Sequence, residues 1–438
     1  MFIEKSAGRI RFSRTVFLLS CLLPSAAIAG WAVHLRSAAH REAVRSRWQQ
    51  VVGLPLVIGA VEHPRPGMVR ATGCAVLTPT GARLMEIPSV ELESAVGEDR
   101  LRIDMVRVDA AAAALLGELA REWLRRDARH PRNCVIEIAD FEWERGGRQG
   151  DDATPRTSTM VRIECVAQGG SRAVRIVRHA EIEEQFRIVR AVADEGGRTV
   201  ERIEFEANWA DAVPLPILAS LAGCAADAVA AAGSAAVASG EVAATLGEAG
   251  WSGTAHGRVE GIDLARCTVA LQARATGQAA IVFDRLTWKD GRLEDVTAEC
   301  SIGAGWIENS LFDRIVIALG CKPGPAAAST GQPVRLFDAA GCVLRLDGGR
   351  LGMTATQAVA NGLAVVDGAV LLQPPSAGIP FDRLAWMLSP PAATFVPAGG
   401  PGGWLMSILP PAGPAAGSGD PAGTRAANPP SRGVRRDF

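Results

Sequence analysis

The sequence predicts a mainly β protein: an elongated, curled antiparallel sheet forming a U-shaped groove, with two or three short capping helices, behind an N-terminal transmembrane helix. Three observations predict it. Residues 133–210 are built of runs in which apolar and charged residues alternate, the period of a half-buried strand. A helical 3.6-residue period is confined to a few short stretches. Residues 15–33 form an uncharged, largely apolar run preceded by Arg9, Arg11 and Arg14 and ended by His34 and Arg36.

Composition narrows the class of protein. The chain has 438 residues, 48% of them hydrophobic, enough for two or three domains and too apolar for wholesale disorder. Lys+Arg number 46 against 47 Asp+Glu, a formal net charge of −1, so no overall field draws the molecule to nucleic acid and none is expected as a partner. The basic residues are almost all Arg, with Lys only at Lys5, Lys289 and Lys322.

Taken in order, the elements read as follows. The run 15–33 covers roughly 28 Å as a helix, about one hydrocarbon core. The preceding arginines favour a cytoplasmic N-terminus and an exported bulk. A cleaved signal peptide is the competing reading, because Ala27-Ile28-Ala29 is a small-x-small site, but the apolar run continues past it through Trp31 and Val33. After this anchor (1–37), a first β region with one helix is expected over 38–222. It opens with a meander in which Met85, Ile87, Val90 and Leu92 bracket a proline where pairing breaks. The helix follows Asp109 as N-cap, with Leu115, Leu116, Leu119, Trp123 and Leu124 on one face and Arg125, Arg126 and Arg129 at its negative end.

The alternating strands come next. In VRIEC, Val161, Ile163 and Cys165 share one face; in VERIEFEA, Ile203, Phe205 and Ala207 share one face against Glu204 and Glu206. Glu181, Glu183, Glu184, Glu204 and Glu206 are assigned to a solvated outer face. A short helix at 213–223 and an Ala-rich linker lead to a second β region, 223–410. It holds a hairpin turning at Lys289-Asp290-Gly291 and a helix capped by Asn309 or Ser310 and ended by Gly320. The Pro/Ala/Gly-rich tail, 411–438, is expected to be disordered.

Catalytic motifs are missing. The nine cysteines are scattered singly, without a C-x-x-C or metal-ligand spacing, and the six histidines stand alone in sequence. Gly303-Ala304-Gly305 lacks a third glycine, since position 308 is Glu308, and no hydrolase, zincin or phosphate-loop signature occurs. Neither an enzyme nor a metal or other cofactor is expected. Many amphipathic strands with few helices leave an apolar sheet face that must close on itself as a sandwich or hold something apolar.

A resemblance bears on that choice. Gly250-Trp251-Ser252-Gly253, Gly257-Arg258 and Ile262-Asp263-Leu264 resemble the AsmA-like family of bacterial envelope proteins. So do Leu84-Met85-Glu86-Ile87-Pro88 after the anchor, and the strand, Gly turn and helix of 291–320. These are degenerate Gly/apolar patterns, and no catalytic residue carries over with them. The resemblance implies a single-pass protein of the bacterial inner membrane with its bulk in the periplasm, engaged in lipid transport between membranes or outer-membrane homeostasis. Its partner would be a phospholipid or other acyl lipid, with an envelope protein as a further one. Val161, Ile163, Cys165, Ile203, Phe205 and Ala207 are then the expected groove lining. About 20 strands stacked at 4.8 Å give a groove on the order of 100 Å long. The alternative is a non-enzymatic structural or assembly protein of the envelope with a closed β-sandwich, binding its partner through an edge strand.

Overall fold

The computed structural model describes residues 7–389 apart from 53–54, 79–80, 95–96, 126–132, 144–158, 169–170, 180–182, 196–197, 223–232, 234, 272, 329–330, 348 and 360–361. The Ala-rich linker and the 411–438 tail therefore lie largely or wholly outside the described residues. Of the described residues 55% are strand and 27% helix, so the fold is mainly β.

The chain begins with helix α1 (Ala7–Phe17), a π turn (Leu18–Leu22) and α2 (Leu23–Leu35) in continuous succession. Pro24 accounts for the π turn: it has no N–H to give to the carbonyl four residues back, and the ladder widens ahead of it. The stretch from Arg11 to Leu35 is 25 residues, long and apolar enough to cross a membrane, and none of it is buried against the rest of the chain. Helix α3 (Ala38–Val52) follows. It has no counterpart among the expected elements, because its apolar residues are few, but Trp48 packs into two of the apolar clusters.

The meander is present as β1 (Leu56–Val57), β2 (Ala60–Glu62), β3 (Met68–Leu77) and β4 (Arg83–Ser94). Pairing does not break at Pro88: the β3–β4 register continues on both sides of it, from Thr72↔Ser89 to Cys74↔Ile87. Strand β5 (Glu98–Val108) leads into helix α4 (Ala110–Arg125), whose start is fixed by the Ala112 N–H donating to Asp109 Oδ1 at 2.7 Å. The helix crosses over to β6 (Asn133–Trp143), so β5 and β6 are parallel, the one departure from antiparallel pairing among the described strands. Antiparallel neighbours then run β7 (Met160–Gln168), β8 (Ser171–His179), β9 (Glu183–Glu195) and β10 (Arg198–Pro214), closed by helix α5 (Leu215–Ala222).

The second region continues the same sheet through β11 (Val237–Gly247), β12 (Gly250–Asp263), β13 (Gln278–Lys289) and β14 (Arg292–Ile302), with a one-turn helix α6 (Leu264–Cys267) after β12. The β13–β14 turn has positive φ at both Asp290 (52°) and Gly291 (74°), the two-residue turn whose twist suits a hairpin. Strand β15 (Gly305–Glu308) leads into helix α7 (Asn309–Leu319), then β16 (Lys322–Pro323), β17 (Val334–Phe337), β18 (Ala339–Asp347), β19 (Arg350–Thr354), β20 (Ala364–Val366), β21 (Ala369–Gln373), β22 (Ile379–Pro380) and helix α8 (Asp382–Met387). Gly320 ends α7 in the left-handed region, at φ 65°. The cap residue is Glu308, one position earlier than expected, and the Asn309 side chain instead donates to Gln332 O at 2.7 Å.

Strands β3 to β14 and then β18 form one unbroken succession, which at ~4.8 Å per strand is about 60 Å long. That is shorter than the sequence suggests, because the ends branch. Both β1 and β2 lie on β3, and β18 is shared by β19 and β20, so the terminal strands do not add length.

Candidate functional site: an apolar sheet face

Directly opposed residues in a sheet share a face, so the register tells which side chains line up. One row crosses the whole sheet: Val69, Leu92, Leu101, Ile136, Ile163, Ile176, Phe186, Ala207, Val242, Ala255, Leu286, Val296, Leu346 and Leu351. Every member is apolar, from β3 to β19. A parallel row runs Cys134, Cys165, Val174, Ile188, Phe205, Ala244, Gly253, Trp288 and Leu293. The six residues singled out from the sequence therefore lie on one face, and the alternation that selected them is the alternation of the sheet.

That face is not uniform along its length. Over β5–β8 it is covered by α4 and α5, and Val161, 3% exposed, is packed into a core with Ala112, Ala113, Val213 and Ile217. Ile163 packs against the same core. Burial pushes the Cys165 thiol up to about 12, and that of Cys134 opposite it to about 11. The sheet itself caps the negative end of α4: Arg172 donates to Trp123 O at 2.9 Å and Arg190 to Leu124 O at 3.0 Å. A second core lies at the other end, where α7 and α8 pack with β18–β22 around Phe312, Leu319, Leu351 and Leu372.

Between the two cores no helix among the described residues covers the face, which is called open in that sense. None of the residues of β11, β12 or β13 enters an apolar cluster formed by the described residues, and β14 contributes only Ile302. Val242, Ala244, Leu246, Ala255, Leu286 and Val296 are half-buried, as are Ile203 and Phe205 beside them in β10, whereas Ala207 is buried. Glycines shape this stretch. A Cβ on Gly253 would meet Ala243 O at 2.2 Å and the Trp288 ring at 3.0 Å, so its bare Cα makes room for the indole against β12. Gly240 and Gly257 face each other, both at φ 150°, where a Cβ on either would meet the opposite backbone at 2.3 Å.

The opposite face is charged and largely neutralised within itself. Arg70, Glu91, Arg102, Glu137 and Arg162 stand side by side on β3–β7 with alternating sign. Glu206 pairs with Arg187 at 3.1 Å and Glu204 with Arg202 at 3.2 Å. A shallow recess of about 560 Å³ is lined by Arg175, Gln185, Glu206, Asn208, Glu241 and His256 together with Ala207, Val242, Ala243 and Thr254, with Glu241 and His256 3.3 Å apart.

Two features depart from the sequence reading. Glu184 is not solvated: it is 1% exposed, 2.8 Å from Arg178, and accepts from the Asp211 N–H at 2.7 Å. The β10 bulge between Trp209 and Val213 brings Asp211 there, and alternation alone carries no trace of it. Glu181 lies outside the described residues. The histidines do not all stand alone either. His34 at the end of α2, His40 in α3 and His63 before β3 meet, with ring centroids 5.5 and 5.0 Å apart along the series. The Nε2 atoms of His40 and His63 are 2.8 Å apart, and burial, then His63 and His34, push His40 below its ordinary pKa. Their separation in sequence gives no signal of this meeting. Among the described residues no group of metal-ligating side chains is arranged to hold an ion.

No family model, curated protein or solved structure matches the chain.

Proposed function

We propose that the protein is anchored in a bacterial inner membrane by its N-terminal helix, with the sheet in the periplasm, and that the open apolar face holds lipid acyl chains. It would then take part in lipid transport between membranes or in outer-membrane homeostasis, as the resemblance to AsmA-like proteins implies. The observation that supports this is the unbroken apolar row, left uncovered by the described residues over β11–β14. Each methylene placed there gains about 0.8 kcal/mol, while head groups stay in water at the strand ends. The action is passive: the chemistry needed is burial and release, with no bond made or broken and no metal or cofactor. An envelope protein that delivers or accepts the lipid is the expected partner. Native mass spectrometry of the full chain after detergent-free extraction tests the reading. Phospholipid adducts are the expected result, and a clean apo mass overturns it in favour of a closed, structural sheet.

A further inference from the structure

The described chain ends beside the open face. Ser389 O accepts from Arg314 Nη1 at 3.2 Å, and Arg314 Nη2 donates to Leu271 O at 3.1 Å. Leu271 follows α6 at the end of β12, so residue 389 sits at the β12–β13 margin of the uncovered strands. Beyond it the sequence is unusual in having no charged residue until Asp420. Within that stretch, residues 404–409 read WLMSIL, set off by PGG before and PP after. Fourteen residues lie between 389 and 404, a reach of up to about 50 Å, whereas β12, with 14 residues, is about 45 Å long. The segment can therefore reach any point on the open face.

We propose that residues 404–409 of this chain dock on the apolar face of β11–β14 and are displaced from it by acyl chains. The proposal rests on the lipid-holding reading for the displacement, but not for the docking. An uncharged, apolar hexapeptide tethered within reach meets a half-buried apolar surface at high effective concentration, so even weak contact keeps it covered in water. The segment would act as a built-in competitor that protects the face when no lipid is present and sets the threshold for loading.

The test uses the full-length protein in detergent-free membrane discs with photoleucine in place of Leu405. Irradiation is expected to give crosslinks within one chain to β11–β14, and excess oleate is expected to abolish them. In parallel, Leu405→Asp/Ile408→Asp is expected to raise labelling by a diazirine fatty acid about tenfold at subsaturating concentration. Crosslinks to other elements, crosslinks only between two chains, or no crosslink overturn the docking. Crosslinks to β11–β14 without any fatty-acid labelling of the variant would leave the docking standing and overturn the lipid reading. Labelling identical in wild type and variant, with no crosslink, would do the reverse.

Discussion

Leu286→Asp separates an open apolar face from a closed core. Leu286 lies in β13 between Ala255 and Val296, half-buried and outside every apolar cluster formed by the described residues. An aspartate there keeps its carboxylate partly in water, so folding should be weakened by no more than about 1–2 kcal/mol. The effect on lipid is larger. The ~4.8 Å between strands corresponds to about four methylenes of an extended chain, and excluding them at about 0.8 kcal/mol each costs about 3 kcal/mol, roughly a 200-fold loss of affinity. Val161→Asp is the contrast: at 3% exposure beneath α4 and α5 an ionised group has no water, and Arg178 directly opposite is already held by Glu184, so folding should be weakened far more than by Leu286→Asp. Glu204→Lys, on the charged face, should stay within about 0.5 kcal/mol of wild type. Circular dichroism and urea titration read folding, and photo-crosslinking to a diazirine fatty acid reads binding. A folded Leu286→Asp that labels as well as wild type would refute the open-face reasoning; so would an unfolded one, which would mean that β13 is core.

The buried pair offers a stability test. Glu184→Gln should cost about 3 kcal/mol, because Arg178 loses its buried carboxylate and keeps the exposed Asp211 as counter-charge, while Arg178→Met combined with Glu184→Leu should recover part of that loss; additive urea-derived losses would contradict it. The histidine contact offers a pH test. Because the folded pKa of His40 lies below its ordinary value, the unfolded form takes up the proton first, so the His40–His63 tie loosens as pH falls below about 6.5 and is whole above it. Amide exchange in α3 and around His63 should quicken between pH 7.5 and 5.5, and His63→Gln should reduce that dependence without abolishing it, since burial is the larger cause; an unchanged pH response in the variant would place its origin elsewhere.

What the sequence made legible follows from which signals are local. Alternation is local, and it placed Val161, Ile163, Cys165, Ile203, Phe205 and Ala207 on one face because a strand has no freedom to turn one residue in a run against its neighbours. Capping is local, and Asp109 and Gly320 mark α4 and α7 as expected. The cover over a face is a property of the whole fold, and there the sequence is silent. Val161 and Phe205 have the same pattern around them, yet one lies beneath α4 and α5 and the other at the margin of the open strands. The parallel β5–β6 pair decides this difference. A crossover helix is needed to join parallel strands, and α4, once placed there, lies on the apolar side, where its Leu115 and Leu116 pack against the core. The β12–β13 and β13–β14 neighbours are antiparallel and joined without a long helix, so among the described residues β12–β14 receive no such cover. The difference along the face therefore follows from where the connections place helices: α4 and α5 extend over strands beyond the pair they join, to β7 and β8, whereas among the described residues the connections within β11–β14 hold no helix longer than the one-turn α6.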